Sequence, residues 1–251
     1  MFDLTIITVC FNDWDQCVKT INSVHSFRQA TKLKVQHIVQ DGGSEDVHKF
    51  NVHAYDIDFQ SNQDTGIYSG MNNALERAEG KFVWFLNSGD LIHPNLLERE
   101  GISIFEHAVS SDLPKLTFEV YNQRFRTVYA WQKSNSRKQR AMLHHQGTLI
   151  NRVYCGSEIY YDEQLKFRGD YELFLRLDRW ETKRFALCVC IYEGNGVSTD
   201  DKNAFAFFSE ELKIDLKHGL RKQSSPIFEL SKIYFLILTR KIKRTIKNVI
   251  H

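Results

Sequence analysis

The chain has 251 residues, 42% hydrophobic and 25% charged, with only 13 Gly and 3 Pro; this excludes collagenous, disordered and low-complexity classes and fits one large or two small globular domains. Its net charge of +2 hides an asymmetry, because Lys232, Arg240, Lys241, Lys243, Arg244 and Lys247 lie beyond residue 230 without a single acid. The five cysteines (Cys10, Cys17, Cys155, Cys188, Cys190) are odd in number and form no CxxC pair, which argues against a disulfide framework or zinc site and for a reducing cytoplasm.

Residues 4–9 make a continuous β-rich run, and no basic segment with a following apolar stretch precedes them, so no export signal is expected. The segments 35–40, 55–59 and 82–86 repeat the strand character, with helical patterns between them. The clearest helix is predicted over 66–79, with Ile67, Met71, Ala74, Leu75 and Ala78 on one apolar face, Thr65 as N-cap and Gly80 as terminator. Such alternation predicts a mainly parallel α/β sheet, whose ligands bind at the strands' carboxyl ends. Farther on, 115–121 and 125–131 read as a hairpin, 133–140 is basic and polar, and the region from about 100 to 165 is expected to face substrate. A helix over 170–180, a strand over 184–191 and a helix over about 203–220 follow.

The segment 226–250 starts with Ser225 as N-cap and Pro226 at the first helical position. It repeats apolar residues at helical spacing, among them Ile227, Leu230, Ile233, Tyr234, Ile237, Leu238, Ile242, Ile246 and Val249. Its most apolar stretch, 233–238, is far shorter than the roughly 20 residues needed to cross a bilayer. The helix therefore either packs on the domain with a solvated basic face or lies on an anionic membrane surface. Nucleic acid is not the expected partner.

Three acidic loops follow apolar runs or open helices. Asp41-Gly42-Gly43-Ser44 places a carboxylate, an acceptor only, at a strand end, where it can either hold a ring N–H or cap a turn. Asn87-Ser88-Gly89-Asp90 follows 82–86 directly and puts Asp90 at the ligand edge, where a hard carboxylate suits Mg2+ or Mn2+ held partly through phosphates. Gly169-Asp170-Tyr171-Glu172 offers Asp170 as a general base or as an ordinary helix N-cap. Between the first two, Asp64-Thr65-Gly66-Ile67-Tyr68-Ser69-Gly70-Met71-Asn72 opens a helix whose N-terminus favours a phosphate. There Ile67, Met71 and Leu75 are assigned to packing, and Asp64, Tyr68 and Asn72 to binding. No GxGxxG or GxxxxGK[ST] motif occurs, which disfavours dehydrogenases and P-loop enzymes.

Taken in order, Thr5 to Asn12, Ile38 to Ser44, Asp64 to Asn73, Phe85 to Asp90, His145-Gln146 and Gly169-Asp170-Tyr171 resemble the inverting family 2 glycosyltransferases of GT-A fold, in particular small bacterial enzymes of polysaccharide and O-antigen (lipopolysaccharide) assembly. The resemblance runs from Leu4 to about Ser198. It implies a Rossmann-like α/β domain over 1–224, with a nucleotide-sugar half (1–98) and an acceptor half (99–224), followed by the basic helix 225–251. It also implies that Thr8 and Phe11 flank the base of a UDP-sugar, that Asp41 accepts from the uracil N–H, and that the DxD-like Ser88-Gly89-Asp90 presents Asp90 to the metal. Ser88 stands where many relatives have an acid. Asp170 matches the catalytic base, and His145 lies near donor or acceptor, a structural histidine being the other reading. Gly194-Asn195-Gly196-Val197-Ser198 resembles a family loop of unassigned role. The nearest string to the processive QxxRW motif, Arg176 to Trp180, lacks the Gln, so one sugar per encounter is expected. The implied acceptor is a free or lipid-linked glycan at the inner face of the cytoplasmic membrane. A sugar nucleotidyltransferase and a non-catalytic glycan- or nucleotide-binding protein are the alternative readings.

Overall fold

A computed structural model describes residues 1–45, 47, 50–194, 200–222 and 224–250, with the backbone alone at 226, 227 and 243–250. The first part alternates β1 (Leu4–Cys10), α1 (Trp14–Ala30), β2 (Val35–Asp41), β3 (Asp58–Ser61), α2 (Ile67–Leu75) and β4 (Phe82–Phe85). The middle holds β5 (Leu91–Ile92), α3 (Pro94–Leu97), α4 (Arg99–Ser110), the hairpin β6 (Lys115–Asn122) and β7 (Thr127–Tyr129), α5 (Arg137–Arg140), β8 (Thr148–Asn151) and α6 (Arg152–Cys155). Last come α7 (Gly169–Arg176), β9 (Thr182–Tyr192), α8 (Ala204–Lys217) and α9 (Pro226–Ile250).

The strands form one sheet in the order β3-β2-β1-β4-β8-β6-β9-β5, with β7 pairing β6. β3, β2, β1 and β4 run parallel, whereas β8 is antiparallel to β4 and β6, and β5 to β9. The sheet is thus parallel in its first half and mixed in its second. Both faces of β1 are covered, and all seven of its residues are buried, which is why that strand reads as an unbroken apolar run rather than an alternating one. One core lies between the sheet and α2, α7 and α8, another between the sheet and α1 and α4. All five cysteines are buried and free.

Several sequence expectations shift. The third strand lies at 58–61 rather than 55–59, because Tyr55 leaves the sheet to stack on Phe50 at 5.7 Å between ring centroids, in a cluster with Trp14 and Phe59. Helix α2 is shorter than 66–79. Gly66, not Thr65, occupies its N-cap, and the chain leaves the helix after Leu75, where Gln36 Oε1 accepts from Glu79 N–H and Thr5 Oγ1 from Gly80 N–H. Ile67, assigned to the packed stripe, is 44% exposed, while Met71, Ala74, Leu75 and Ala78 are buried. The basic stretch 133–140 turns inward. Lys138 pairs with Glu211 and Asp215, and Arg140 binds Asp178 through two nitrogens, so these cations brace α7 and α8.

Candidate active site

Three consecutive strand ends build the crevice. Asp41 ends β2 opposite Cys10 of β1, and Ser88 N–H donates to Val9 O just past β4, so both acidic loops open at the carboxyl ends of the two parallel strands that flank β1. The second loop is seated on α1, where Thr20 Oγ1 accepts from Gly89 N–H at 3.0 Å and donates to the Asn87 carbonyl at 3.2 Å. Asn87 N–H in turn donates to Asp90 Oδ2 at 2.9 Å.

The acceptor-side residue arrives from far away in sequence. Tyr68 of α2 stacks on Tyr161 at 5.1 Å, and its hydroxyl accepts the Gly169 N–H at 2.9 Å. A Cβ on Gly169 would lie 2.5 Å from the Tyr68 ring, so only glycine permits this approach. Asn72 secures the same seam, its amide donating to the Tyr161 carbonyl and Glu163 and accepting from Tyr161 N–H. Tyr68 and Asn72, expected to touch ligand, are therefore buried fasteners that place the start of α7.

Asp170 at that start binds His145 Nδ1 through Oδ2 at 2.7 Å. His145 Nε2 lies 3.2 Å from the Asn87 side-chain amide, so the imidazole joins the base candidate to the Asp90 loop. Burial alone would raise the Asp170 pKa, but His145 and then Arg168 outweigh it and hold the carboxyl below its usual range. His145 moves the other way: burial disfavours its cation, yet Asp170 and Asp90 together raise its pKa. Asp90, 7% exposed, is pushed up to about 7 by burial, against the opposing pull of His145 and the Asn87 N–H. Each carboxylate thus has a distinct environment, one kept ionised and one held near neutrality.

Asn87 Oδ1 is buried without a hydrogen-bond partner among the described residues, whereas the Tyr161 hydroxyl helps hold the Asp170 carboxylate ionised. Such orphans are rare in folded proteins, since each forfeits solvation without replacement. No group of three or more His, Cys, Asp or Glu among the described residues could hold a metal alone. Asp90 with the orphaned Asn87 oxygen does fit a hard cation that draws its remaining oxygens from phosphates and water.

On the donor side, Phe11 is 62% exposed, and its ring lies 3.3 Å from where a Gly42 Cβ would stand. Asp64 shares that place, its Oδ2 lying 2.9 and 2.8 Å from the positions a Cβ would take on Gly42 and Gly70. Burial raises the Asp64 pKa despite the Gly66 N–H on Oδ1. Two other expectations need correction. Thr8 is wholly buried, its hydroxyl 3.0 Å from His37 Nε2, so its side chain does not reach the crevice. Asp41 is also wholly buried; it accepts from Gly43 N–H, Ser44 N–H, the Ser44 hydroxyl and the Ser61 hydroxyl. Its carboxylate folds the loop and has no oxygen left over for a ring. Ser88 donates to Asp13, whose Oδ2 is 3.2 Å away. Of the Gly194 to Ser198 loop, residues 195–198 lie outside the described residues.

Sequence reasoning missed Asn87 and Tyr161. Asn87 was quoted only as part of a turn, and nothing in Tyr160-Tyr161-Asp162 marks the second tyrosine as the one that packs between α2 and Asp170.

Residues 5–100 match the model of Glycosyl transferase family 2. An uncharacterized glycosyltransferase of Mycobacterium tuberculosis is 37% identical over 90 residues, which cover 35% of this chain and 34% of the relative; the match spans about a third of that protein's length. S. aureus TarS 1–349 in complex with UDP-GlcNAc superposes with a TM-score of 0.64 at 19% identity, covering 96% of this chain and 72% of that chain. Glucosyl-3-phosphoglycerate synthase from Mycobacterium tuberculosis, in complex with Mn2+, UDP and glucosyl-3-phosphoglycerate, does so with a TM-score of 0.57 at 16% identity, covering 89% and 82%. The fold shared with these structures is GT-A.

Proposed function

From the match of residues 5–100 to the family 2 glycosyltransferase model, we propose that the chain is a member of that family, an inverting, non-processive enzyme moving one sugar from a UDP-sugar to a glycan hydroxyl. The observation that carries this reading is Asp170: a carboxylate kept ionised, held by His145 through Oδ2 and with 31% of its side chain open to solvent. That carboxylate is where an acceptor hydroxyl would lose its proton. The acceptor oxygen then bonds to the anomeric carbon as the bond to the diphosphate breaks, so configuration inverts and UDP leaves. Phe11 offers an exposed face for the base, and Asp64, rather than the saturated Asp41, is the carboxylate beside it able to accept a ring N–H. A divalent cation held by Asp90 and Asn87 Oδ1 would neutralise charge on the departing diphosphate.

A thermal-shift panel of UDP, GDP, CMP and dTDP, with and without Mn2+, tests the donor class. Saturating UDP with Mn2+ should raise Tm by roughly 5 °C or more, as expected for occupancy near 100 times Kd in a chain of this size. Absence of a shift with every nucleotide defeats the reading. Release of UDP from the donor, rather than of pyrophosphate from a triphosphate, separates it from a nucleotidyltransferase.

The C-terminal helix supports a lipid-linked acceptor at an anionic membrane. No helix among the described residues is long and apolar enough to cross a membrane. α9 packs on α8 through Ile233, Leu236 and Ile237 against Phe207, Phe208 and Leu212, which leaves Phe228, Leu230, Tyr234, Phe235, Leu238 and Ile242 exposed beside its basic residues. An apolar face next to cations suits the interfacial zone of an anionic leaflet. Replacing Tyr234, Phe235 and Leu238 together by Ser should lower co-sedimentation with anionic vesicles at least tenfold without unfolding the domain. Unchanged sedimentation counts against the anchor.

A further inference from the structure

Beyond the base and the cation residues, the crevice has an aromatic wall that the steps above do not use. His144 immediately precedes His145, and its exposed side chain sits between two rings: Tyr129 at 5.2 Å with an interplanar angle of 32°, and Tyr192 at 5.7 Å with 41°. The two tyrosines reach this place from β7 and from the end of β9, and both are half-buried. His144 adjoins in the chain the histidine that binds Asp170. His144 feels the charges of His145 and Asp170, and Tyr192 those of Asp90.

Together the three side chains make a small aromatic surface next to His145. Although His144 keeps contact with solvent, the protein crowding its ring and neighbouring His145 lower its pKa to about 4, so the imidazole is neutral at physiological pH; burial pushes Tyr192 up to about 12, so it keeps its proton. The wall is therefore uncharged and offers aromatic faces rimmed by hydroxyl and ring-nitrogen groups. An uncharged aromatic surface does not attract a phosphate. It does match a pyranose, whose C–H bonds point their partial positive charge at the negative face of an aromatic ring while its hydroxyls reach polar groups at the ring edges. Resting on the glycosyltransferase reading, we infer that Tyr129, His144 and Tyr192 form the acceptor platform on which a sugar ring stacks, with one hydroxyl directed to Asp170. The ligand class is a neutral hexopyranose unit of an oligosaccharide. The platform also gives His144 a role distinct from that of His145.

Saturation-transfer NMR on the full chain with UDP and Mn2+ tests this, with cellotriose, maltotriose and N,N′,N″-triacetylchitotriose as probes. Wild type should transfer saturation from its aromatic protons to ring C–H protons of at least one trisaccharide. Tyr192→Leu and Tyr129→Leu keep apolar bulk but lose the π face, and each should cut that transfer at least fivefold. Tyr192→Phe should retain it, which separates a stacking role from a merely structural one. No transfer to any of the three, or equal transfer in the Leu variants, overturns the platform. The UDP–Mn2+ thermal shift in the same samples distinguishes the two failures: a retained shift with no sugar contact rejects the platform alone, whereas a missing shift rejects the enzyme reading beneath it.

Discussion

Asp170→Asn is expected to lower turnover by at least about a thousandfold, roughly 4 kcal/mol of transition-state stabilisation, while UDP-sugar affinity changes by less than about threefold. The amide is nearly isosteric and can still meet His145, and the Tyr68 hydroxyl still receives the Gly169 N–H, so the fold and donor pocket should persist. What disappears is the ionised carboxylate that would take the acceptor's proton. A variant that keeps a tenth of wild-type turnover would remove Asp170 from the mechanism. Lowered donor affinity with unchanged turnover would instead place it on the donor side.

Asp90→Asn is expected to act in two opposite directions at once. Burial chiefly pushes the Asp90 carboxyl up to about 7 in the folded protein, well above the ordinary carboxylate value of about 4. A raised folded pKa means that its contribution to stability is fully present below the unfolded value and is lost as pH rises through about 7. At pH 8 the buried anion costs the ligand-free protein on the order of 4 kcal/mol. Asparagine carries no charge and can still accept from Asn87 N–H, so the variant's ligand-free Tm at pH 8 should exceed wild type by at least about 5 °C. The gap should shrink as pH falls below about 7 and close below about pH 3, where wild-type Asp90 is protonated in both states. The same substitution removes the anionic partner of the cation, so added Mn2+ should stabilise the wild type with UDP and leave the variant unmoved. A variant less stable than wild type at pH 8, or one that still responds to Mn2+, would contradict this account of Asp90.

The acidic strand ends were legible because a parallel strand covered on both faces reads as an apolar run, and the first polar residues after it mark the ligand edge. That logic located the Asp41 and Asp90 loops, although it did not reveal that Asp41 would be consumed by Ser44 and Ser61. The Thr8 expectation came from the family resemblance alone, which carries no information on the side chain's direction; His37 on the neighbouring strand meets its hydroxyl inside the protein. Tyr68 and Asn72 were found as noteworthy but assigned to the wrong task, since their partners are Gly169, 101 residues away, and Tyr161, 89 residues away. Helical spacing is blind to pairings at that separation. The basic segment 133–140 shows the same limit, because its charge is cancelled by Asp178, Glu211 and Asp215, which lie on other elements. The shortened α2 reflects competition between helix propensity and the side chains of Thr5 and Gln36, which take the amides of residues 79 and 80 into the sheet.

The seam between Tyr68 and Gly169 has a practical corollary for anyone recombining such proteins. A chimera joining the first hundred residues to another relative's second half inherits the tyrosine, and it will place the incoming aspartate correctly only if the incoming segment brings a residue without a side chain just ahead of it. Library designs that shuffle halves should therefore treat positions 68 and 169 as one inherited unit and put their crossovers elsewhere.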